Sequence, residues 1–177
     1  MTNQLKDDPR YRNHESRPDL AGEHPLGDKL QILVFIQFVI AVLVDHFYLG
    51  WAARLRNLVP FEVWLPVSLG LILLGGSLSF FGMHSVFSEY TEEPRMVASG
   101  LFSYVRHPVY LGALMVYSGL LVFILSPMAL LIFIATILLY DWLAQDEEAR
   151  MLKVFGTRYE EYMRQTPRWL PGLFKHH

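Results

Sequence analysis

The chain of 177 residues contains no cysteine, and charged residues make up only 18% of it. Without cysteine there is no disulfide, no thiolate nucleophile and no metal site with cysteine ligands, and we predict no metal site of another kind. The formal net charge of −2 provides no basic surface of the kind that nucleic acid requires, so we expect no nucleic-acid partner. The Gly-x-Gly-x-x-Gly turn of soluble dinucleotide-binding domains does not occur either.

Apolar residues dominate instead, at 53% of the chain, which is more than a soluble domain of this length needs. They form four segments at about 30–50, 61–83, 109–125 and 127–143. A helix of roughly 17 residues rises about 25 Å, close to the hydrocarbon thickness of a bilayer. Ser126-Pro127 stands at the junction of the last two segments, which indicates a helical hairpin. The sequence predicts an all-α polytopic membrane protein with four transmembrane helices and an amphipathic C-terminal helix over about 146–165.

The distribution of Lys and Arg predicts the orientation of these spans. Of the 15 basic residues, only Arg54 and Arg56 fall between the first two spans, and the other thirteen lie on the opposite side. This bias places both termini in the cytoplasm, in a cell inner membrane or an endomembrane. Residues 1–29 are polar and lack the apolar core of a cleavable signal peptide, so we interpret them as a cytoplasmic arm preceding a membrane-embedded domain over 30–177.

Within the first two spans, two groups of residues have a structural interpretation. Asp45 and His46 lie at the outer end of the first span, where we interpret them as interfacial groups within reach of water, with a proton or ligand site as the alternative. Small residues in the second and third spans predict that each span packs closely against a neighbouring helix, and Ser77, Ser79 and Ala113 belong to this set together with five glycines. The five glycines are Gly70, Gly75, Gly76, Gly112 and Gly119.

Ionisable residues gather at one end of the predicted hairpin. Arg106 and His107 precede the third span, and Glu147 and Glu148 follow the fourth. Because a hairpin returns the chain to its starting face, we expect these residues on neighbouring helix ends, about 8 to 10 Å apart between axes. Taken alone, Arg-His-Pro is an ordinary helix start, and a glutamate pair often only complements a helix dipole or pairs with a nearby arginine.

The order of these motifs carries more information than each of them. Residues 99–112 read Ser-Gly-Leu-Phe-Ser-Tyr-Val-Arg-His-Pro-Val-Tyr-Leu-Gly. After them come the hairpin, Glu147-Glu148, a Phe-Gly-Thr-Arg-Tyr-Glu-Glu-Tyr run at 155–162, and Pro167. Over about 94–171 the chain resembles the isoprenylcysteine carboxyl methyltransferase and phospholipid methyltransferase family of integral membrane enzymes. The resemblance implies a cytoplasm-facing pocket for S-adenosyl-L-methionine and an acceptor that is a lipophilic small molecule or is linked to membrane lipid.

The resemblance also implies roles for individual residues. The cofactor pocket would be formed by Pro94, Arg95, Met96, Val97, Phe102, His107, Pro108, Val109 and Tyr110. The catalytic group would be Glu147, Glu148 and Arg106, with Glu147 the better candidate to take a proton from the acceptor or to orient it. Family members often carry Tyr at the position of Phe102. Leu143 stands where isoprenylcysteine enzymes carry an arginine for the acceptor, which argues against a prenylcysteine carboxylate.

Three other functions remain open at this point. Membrane sterol reductases share a related helical core and use NADPH, although this chain is short for one. A non-catalytic four-helix subunit or a small transporter would need no cofactor, but no charged residue lies deep in the first three spans to line a path. A haem protein would need a facing pair among His46, His84 and His107, and the predicted topology puts His46 on the side opposite the other two.

Overall fold

The computed structural model of the protein describes residues 22–88 and 93–170, and these residues form helices and no strand. The helices are α1 (Gly27–Val44), α2 (Trp51–Arg56), α3 (Phe61–Phe87), α4 (Pro108–Ile124), α5 (Pro127–Phe155) and α6 (Thr157–Gln165). A π-helical turn, Asp45–Leu49, joins α1 to α2, and a 3₁₀ turn, Gly100–Ser103, precedes α4. The all-α prediction is confirmed for the described residues.

Four of these helices occupy the four predicted apolar segments. The stretch Gly27–Leu49 and the helices α3 and α5 are long and apolar enough to cross a membrane, and α4 is a shorter apolar helix. The described part of the chain therefore has three candidate spans together with a fourth apolar helix of 17 residues. This arrangement is that of a polytopic membrane protein.

The helix bounds differ from the prediction at two places. Helix α1 begins at Gly27, inside the predicted arm, most of which (residues 1–21) lies outside the described residues. Helix α5 continues without a break to Phe155, so the predicted helix boundary between residues 143 and 146 is wrong, and the separate C-terminal helix begins only at Thr157. No Pro or Gly occurs between residues 128 and 155 to interrupt its hydrogen bonds. The helix ends at Gly156, whose φ of 54° turns the chain into α6.

The chain divides into two compact units. Leu26–Ser79 and Val109–Trp142 form the first, which we call the apolar unit. The second, which we call the polar unit, contains the described residues of Met1–Pro25, Phe80–Pro108 and Leu143–His177.

Within the apolar unit, α3 and α4 approach closely at three glycines. A Cβ atom on Gly75 would lie 2.5 Å from the carbonyl oxygen of Gly112, and one on Gly119 would lie 2.8 Å from that of Ser68. The Ser68 hydroxyl donates to the Gly119 carbonyl at 2.9 Å. Close packing is thus confirmed for Gly75, Gly112 and Gly119. It is wrong for two other glycines, since no described atom lies within 4 Å of a Cβ placed on Gly70 or Gly76.

Asp45 is also a structural residue of the apolar unit. Its side chain is fully buried, and Oδ1 accepts hydrogen bonds from the backbone N–H groups of Trp51 at 2.9 Å and Ala52 at 3.2 Å. The π-helical turn and Gly50, with a φ of 65°, fold the chain back so that the carboxylate caps the start of α2. The interpretation of Asp45 as a water-accessible group is therefore wrong, whereas His46 is exposed.

Candidate functional site

A buried carboxylate, that of Glu148 on α5, is surrounded by donors in the polar unit. Its Oε1 accepts from Arg106 Nε at 2.9 Å, from His107 Nε2 at 3.1 Å and from Arg168 Nε at 3.0 Å. Its Oε2 accepts from Arg168 Nη2 at 2.7 Å. A buried charge is tolerated only when it is paired and hydrogen-bonded, and two guanidinium groups meet that requirement here. We call Arg106, His107, Glu148 and Arg168 the Glu148 cluster.

Arg106 connects this cluster to the end of α6. Its Nη1 donates to the carbonyl oxygens of Met163, at 3.0 Å, and of Thr166, and its backbone N–H donates to the carbonyl of Pro167 at 2.9 Å. The last carbonyls of a helix have no partner within the helix, and Pro167 prevents α6 from continuing. Arg106 supplies these donors, so the segment after α6 is held against the segment that precedes α4.

His107 lies between the two glutamates. Its Nδ1 is 3.6 Å from Glu147 Oε2, and its Nε2 is 3.1 Å from Glu148 Oε1. Burial lowers the pKa of His107 below its ordinary value of 6.5, the charges of Arg106 and Arg168 act in the same direction, and Glu148 opposes them. A neutral imidazole has one N–H, and of the two ring nitrogens Nε2 lies closer to a carboxylate oxygen.

The two glutamates differ in their surroundings, although they are adjacent in sequence. The side chain of Glu148 is 3% exposed, while that of Glu147 is 18% exposed. The expected pairing of a glutamate with Arg106 is observed for Glu148, but Arg150 pairs with Asp146 at 2.6 Å on its own helix. Glu147 is therefore the glutamate that a ligand can reach more readily.

The structure brings four of the predicted site residues together, namely Arg106, His107, Glu147 and Glu148. Phe102 joins the polar unit through its backbone, because its carbonyl accepts from the Tyr162 hydroxyl at 2.6 Å. Burial raises the pKa of Tyr162 to about 12, so this hydroxyl keeps its proton at neutral pH.

The predicted residues before the 3₁₀ turn have varied surroundings. Arg95 Nη2 donates to the carbonyl of Val86 at 3.0 Å, which ties the guanidinium to the last turn of α3. Met96 and Val97 are half-buried, and Pro94 is exposed.

The remaining predicted cofactor residues start α4. Pro108 is buried in the polar unit. Val109 and Tyr110 belong to the apolar unit, where the Val109 carbonyl accepts from the Ser79 hydroxyl at 3.0 Å and the ring of Tyr110 lies 5.0 Å from that of Tyr140. The backbone of Val109 and the ring of Tyr110 thus make packing contacts within that unit.

Sequence reasoning missed Arg168 and Trp169. Arg168 binds both oxygens of Glu148, and the indole of Trp169 lies 6.0 Å from the imidazole of His107 between ring centroids. The available signal was weak: a single arginine following a helix-ending Thr-Pro and preceding the apolar Trp169-Leu170. Nothing local to the sequence indicates that this arginine reaches a glutamate 20 residues earlier.

Comparison with known proteins yields similar sequences and a similar fold. The chain is 29% identical over 122 residues to a protein-S-isoprenylcysteine O-methyltransferase of Schizosaccharomyces pombe, covering 63% of this chain and 51% of that protein. It is 29% identical over 120 residues to a methanethiol S-methyltransferase of Crocosphaera subtropica, covering 63% and 44%. The chain thus spans about half the length of these curated relatives.

A solved structure and a family model extend the comparison. The structure of a eukaryotic isoprenylcysteine carboxyl methyltransferase has a similar fold, with a TM-score of 0.54 and 18% identity over 92% of this chain and 55% of that one. The family model described as phospholipid methyltransferase matches residues 65–158, which is more than half of the chain. These residues include α4, most of α3 and all of α5. The chain therefore belongs to the phospholipid methyltransferase family.

Proposed function

We propose that this protein transfers the methyl group of S-adenosylmethionine to a lipophilic or amphiphilic acceptor at the cytoplasmic face of a membrane. The observation that carries the proposal is the meeting of Arg106 and His107 with Glu147 and Glu148 in the polar unit. Family membership supports the reaction class, and the names of the relatives point to lipophilic or small apolar acceptors. The excess of Lys and Arg on one side of the spans supports the cytoplasmic orientation.

The residues around His107 fit a cationic methyl donor. S-adenosylmethionine, when bound, supplies a methyl group on a positively charged sulfur. Glu147 offers a partly exposed carboxylate, and Trp169 offers an aromatic ring beside His107, and both attract a cation. Arg106 supports the site from within the protein, because its Nε donates to Glu148 and its Nη1 donates to the end of α6.

We assign to Glu147 the role of acting on the methyl acceptor. Its carboxylate is partly exposed and lies next to Nδ1 of His107, so it can take a proton or orient the nucleophile. Glu148 has four donor contacts and holds the neighbouring side chains in place. Holding donor and acceptor in line supplies much of the rate in such transfers.

The charge distribution favours an acceptor without a carboxylate. Both guanidinium groups of the Glu148 cluster are bound to Glu148, and Leu143, at the position where isoprenylcysteine enzymes carry an arginine, is fully buried and apolar. A neutral thiol or amine carried by an apolar molecule fits these surroundings better than a prenylcysteine carboxylate does.

Calorimetric titration of the purified protein in detergent tests the cofactor. We expect saturable binding of S-adenosylmethionine and of its demethylated product S-adenosylhomocysteine, and no binding of NADPH. Binding of NADPH alone would move the assignment to the membrane reductases, and the absence of binding to all three would contradict a methyltransferase site.

A variant of Glu147 tests the chemistry. We expect Glu147→Gln to fold and to bind S-adenosylhomocysteine, but to lose methyl transfer to a thiol or amine acceptor by about 10²-fold or more, the usual contribution of a positioned acid or base. Glu161→Gln is the control, because Glu161 is exposed and accepts only from Gln165 on its own helix among the contacts described. Wild-type turnover in the Glu147 variant would contradict the assignment.

A further inference from the structure

We propose that Arg168 is a positioning residue of this site, which holds Glu148 so that His107 keeps its single proton on Nε2 and presents Nδ1 as an acceptor beside Glu147. The importance of this state for methyl transfer rests on the proposed function. The state of His107 itself does not, because it follows from the contacts within the polar unit.

Arg168 controls the orientation of the Glu148 carboxylate. Its Nε binds Oε1 at 3.0 Å and its Nη2 binds Oε2 at 2.7 Å, so both oxygens are held by one rigid group. His107 Nε2 binds the same Oε1. The carboxylate oxygen that accepts the hydrogen bond from the imidazole is therefore held in position by an arginine on a different segment, the one that follows α6.

Arg168 acts on His107 through its charge as well as through its geometry. With two guanidinium groups against it, Glu148 is an ionised carboxylate, which can only accept hydrogen bonds. His107 must then donate from Nε2. A second proton on Nδ1 is opposed by burial and by the positive charges of Arg106 and Arg168, which together outweigh the attraction of Glu148 for the charged ring.

Further groups among residues 22–88 and 93–170 also face the cluster. Glu147 lies 3.6 Å from Nδ1, Trp169 lies against the ring, and the buried Tyr159 and the half-buried Tyr162 of α6 interact with the charge of Glu148. Burial raises the pKa of both tyrosines, so they remain neutral. Nδ1 and Glu147 together can therefore take the one proton that a thiol or amine releases when its sulfur or nitrogen is methylated.

The state of His107 is measured by ¹⁵N NMR of the full chain in detergent with labelled histidine, because ¹⁵N shifts distinguish the two neutral tautomers from the charged ring. His107→Gln identifies the signal by its loss. We expect the Nε2–H tautomer in the wild type at pH 7. In Arg168→Gln we expect His107 to titrate at higher pH, and in Arg168→Lys, which keeps the charge, we expect titration close to that of the wild type.

Activity provides a second measurement. In Arg168→Gln we expect the acid limb of the pH dependence of kcat to move to higher pH, so that the loss of rate is largest near pH 6 and shrinks as the pH rises. A residue that only stabilised the fold would lower the rate equally across the pH range. Arg164→Gln is the matched control, because Arg164 is exposed and pairs with Glu160 on α6 at 2.7 Å.

Two results would overturn the proposal: an Nδ1–H or charged His107 in the wild type at pH 7, or an unchanged His107 titration in Arg168→Gln. If that variant does not fold, the wild-type and Arg168→Lys spectra decide the matter. The NMR measurement needs neither cofactor nor turnover, so a failure of the proposed function would appear as absent binding of S-adenosylmethionine with the His107 result unaffected.

Discussion

Replacing Glu148 by Gln tests the Glu148 cluster most directly, because the change removes one buried charge and almost no volume. The amide keeps one acceptor oxygen, but its NH₂ group must face a donor, either the guanidinium of Arg168 or the Nε of Arg106. Removing one partner of a buried ion pair costs about 3–5 kcal/mol. Arg168, whose side chain is 27% exposed, can be solvated in part, so we expect a loss near 3 kcal/mol. Such a loss raises the unfolding equilibrium constant by roughly 10²-fold.

The measurement is unfolding by SDS added to mild-detergent micelles, followed by tryptophan fluorescence, because Trp169 lies against His107 within the polar unit. The matched variant is Glu160→Gln, which also removes a glutamate bound to an arginine, but one at an exposed position on α6. Exposed pairs of this kind contribute little to stability. If Glu148→Gln unfolded no more easily than Glu160→Gln, the view of Glu148 as the electrostatic centre of the polar unit would be wrong.

Two further predictions follow from other contacts. Because burial lowers the pKa of His107 in the folded protein, the unfolded chain binds this proton more readily below pH 6.5. The free energy of unfolding should therefore fall as the pH drops from 6.5 towards 5. Unfolding measured at both pH values should show a weaker pH dependence in His107→Gln. Gly75→Ala should lower stability by about 1–3 kcal/mol, since the new Cβ would overlap the backbone of Gly112. The control is Gly76→Ala, whose new Cβ faces open space, and thermal unfolding in detergent should show it to be nearly neutral. Equal effects of the two variants would contradict the close approach of α3 and α4.

The apolar helices could be predicted from the sequence because hydrophobicity along a run of about 20 residues is a local property. Their bounds were less predictable. The polarity changes near residue 143, and that change marks where an apolar surface ends, not where helical hydrogen bonding ends. Helix α5 continues to Phe155 because nothing before Gly156 breaks it, so its polar last three turns extend the same helix.

The site was predictable in part for the same reason. A hairpin brings its two ends together whatever its detailed packing, and the meeting of Arg106 and His107 with Glu147 and Glu148 follows from that topology. The sequence favoured Glu147 over Glu148 as the group that acts on the acceptor, but it did not show which of the two is buried. Successive residues on a helix point about 100° apart, so only one of the two is enclosed by the guanidinium groups of Arg106 and Arg168, and which one depends on the rotation of α5 about its axis.

By itself the sequence determined the helical class, the apolar segments and the order of motifs that places the chain near its family, since each depends on residues close together along the chain. Tertiary structure decided that Glu148 is the buried partner, that Asp45 caps a helix, and that Arg168 completes the cluster. The chain turns at Gly156 and α6 ends before Pro167, and Arg168 thereby returns to α5, the helix that carries Glu148. Contacts of that kind depend on where two separate segments pack, and no local pattern of residues encodes them.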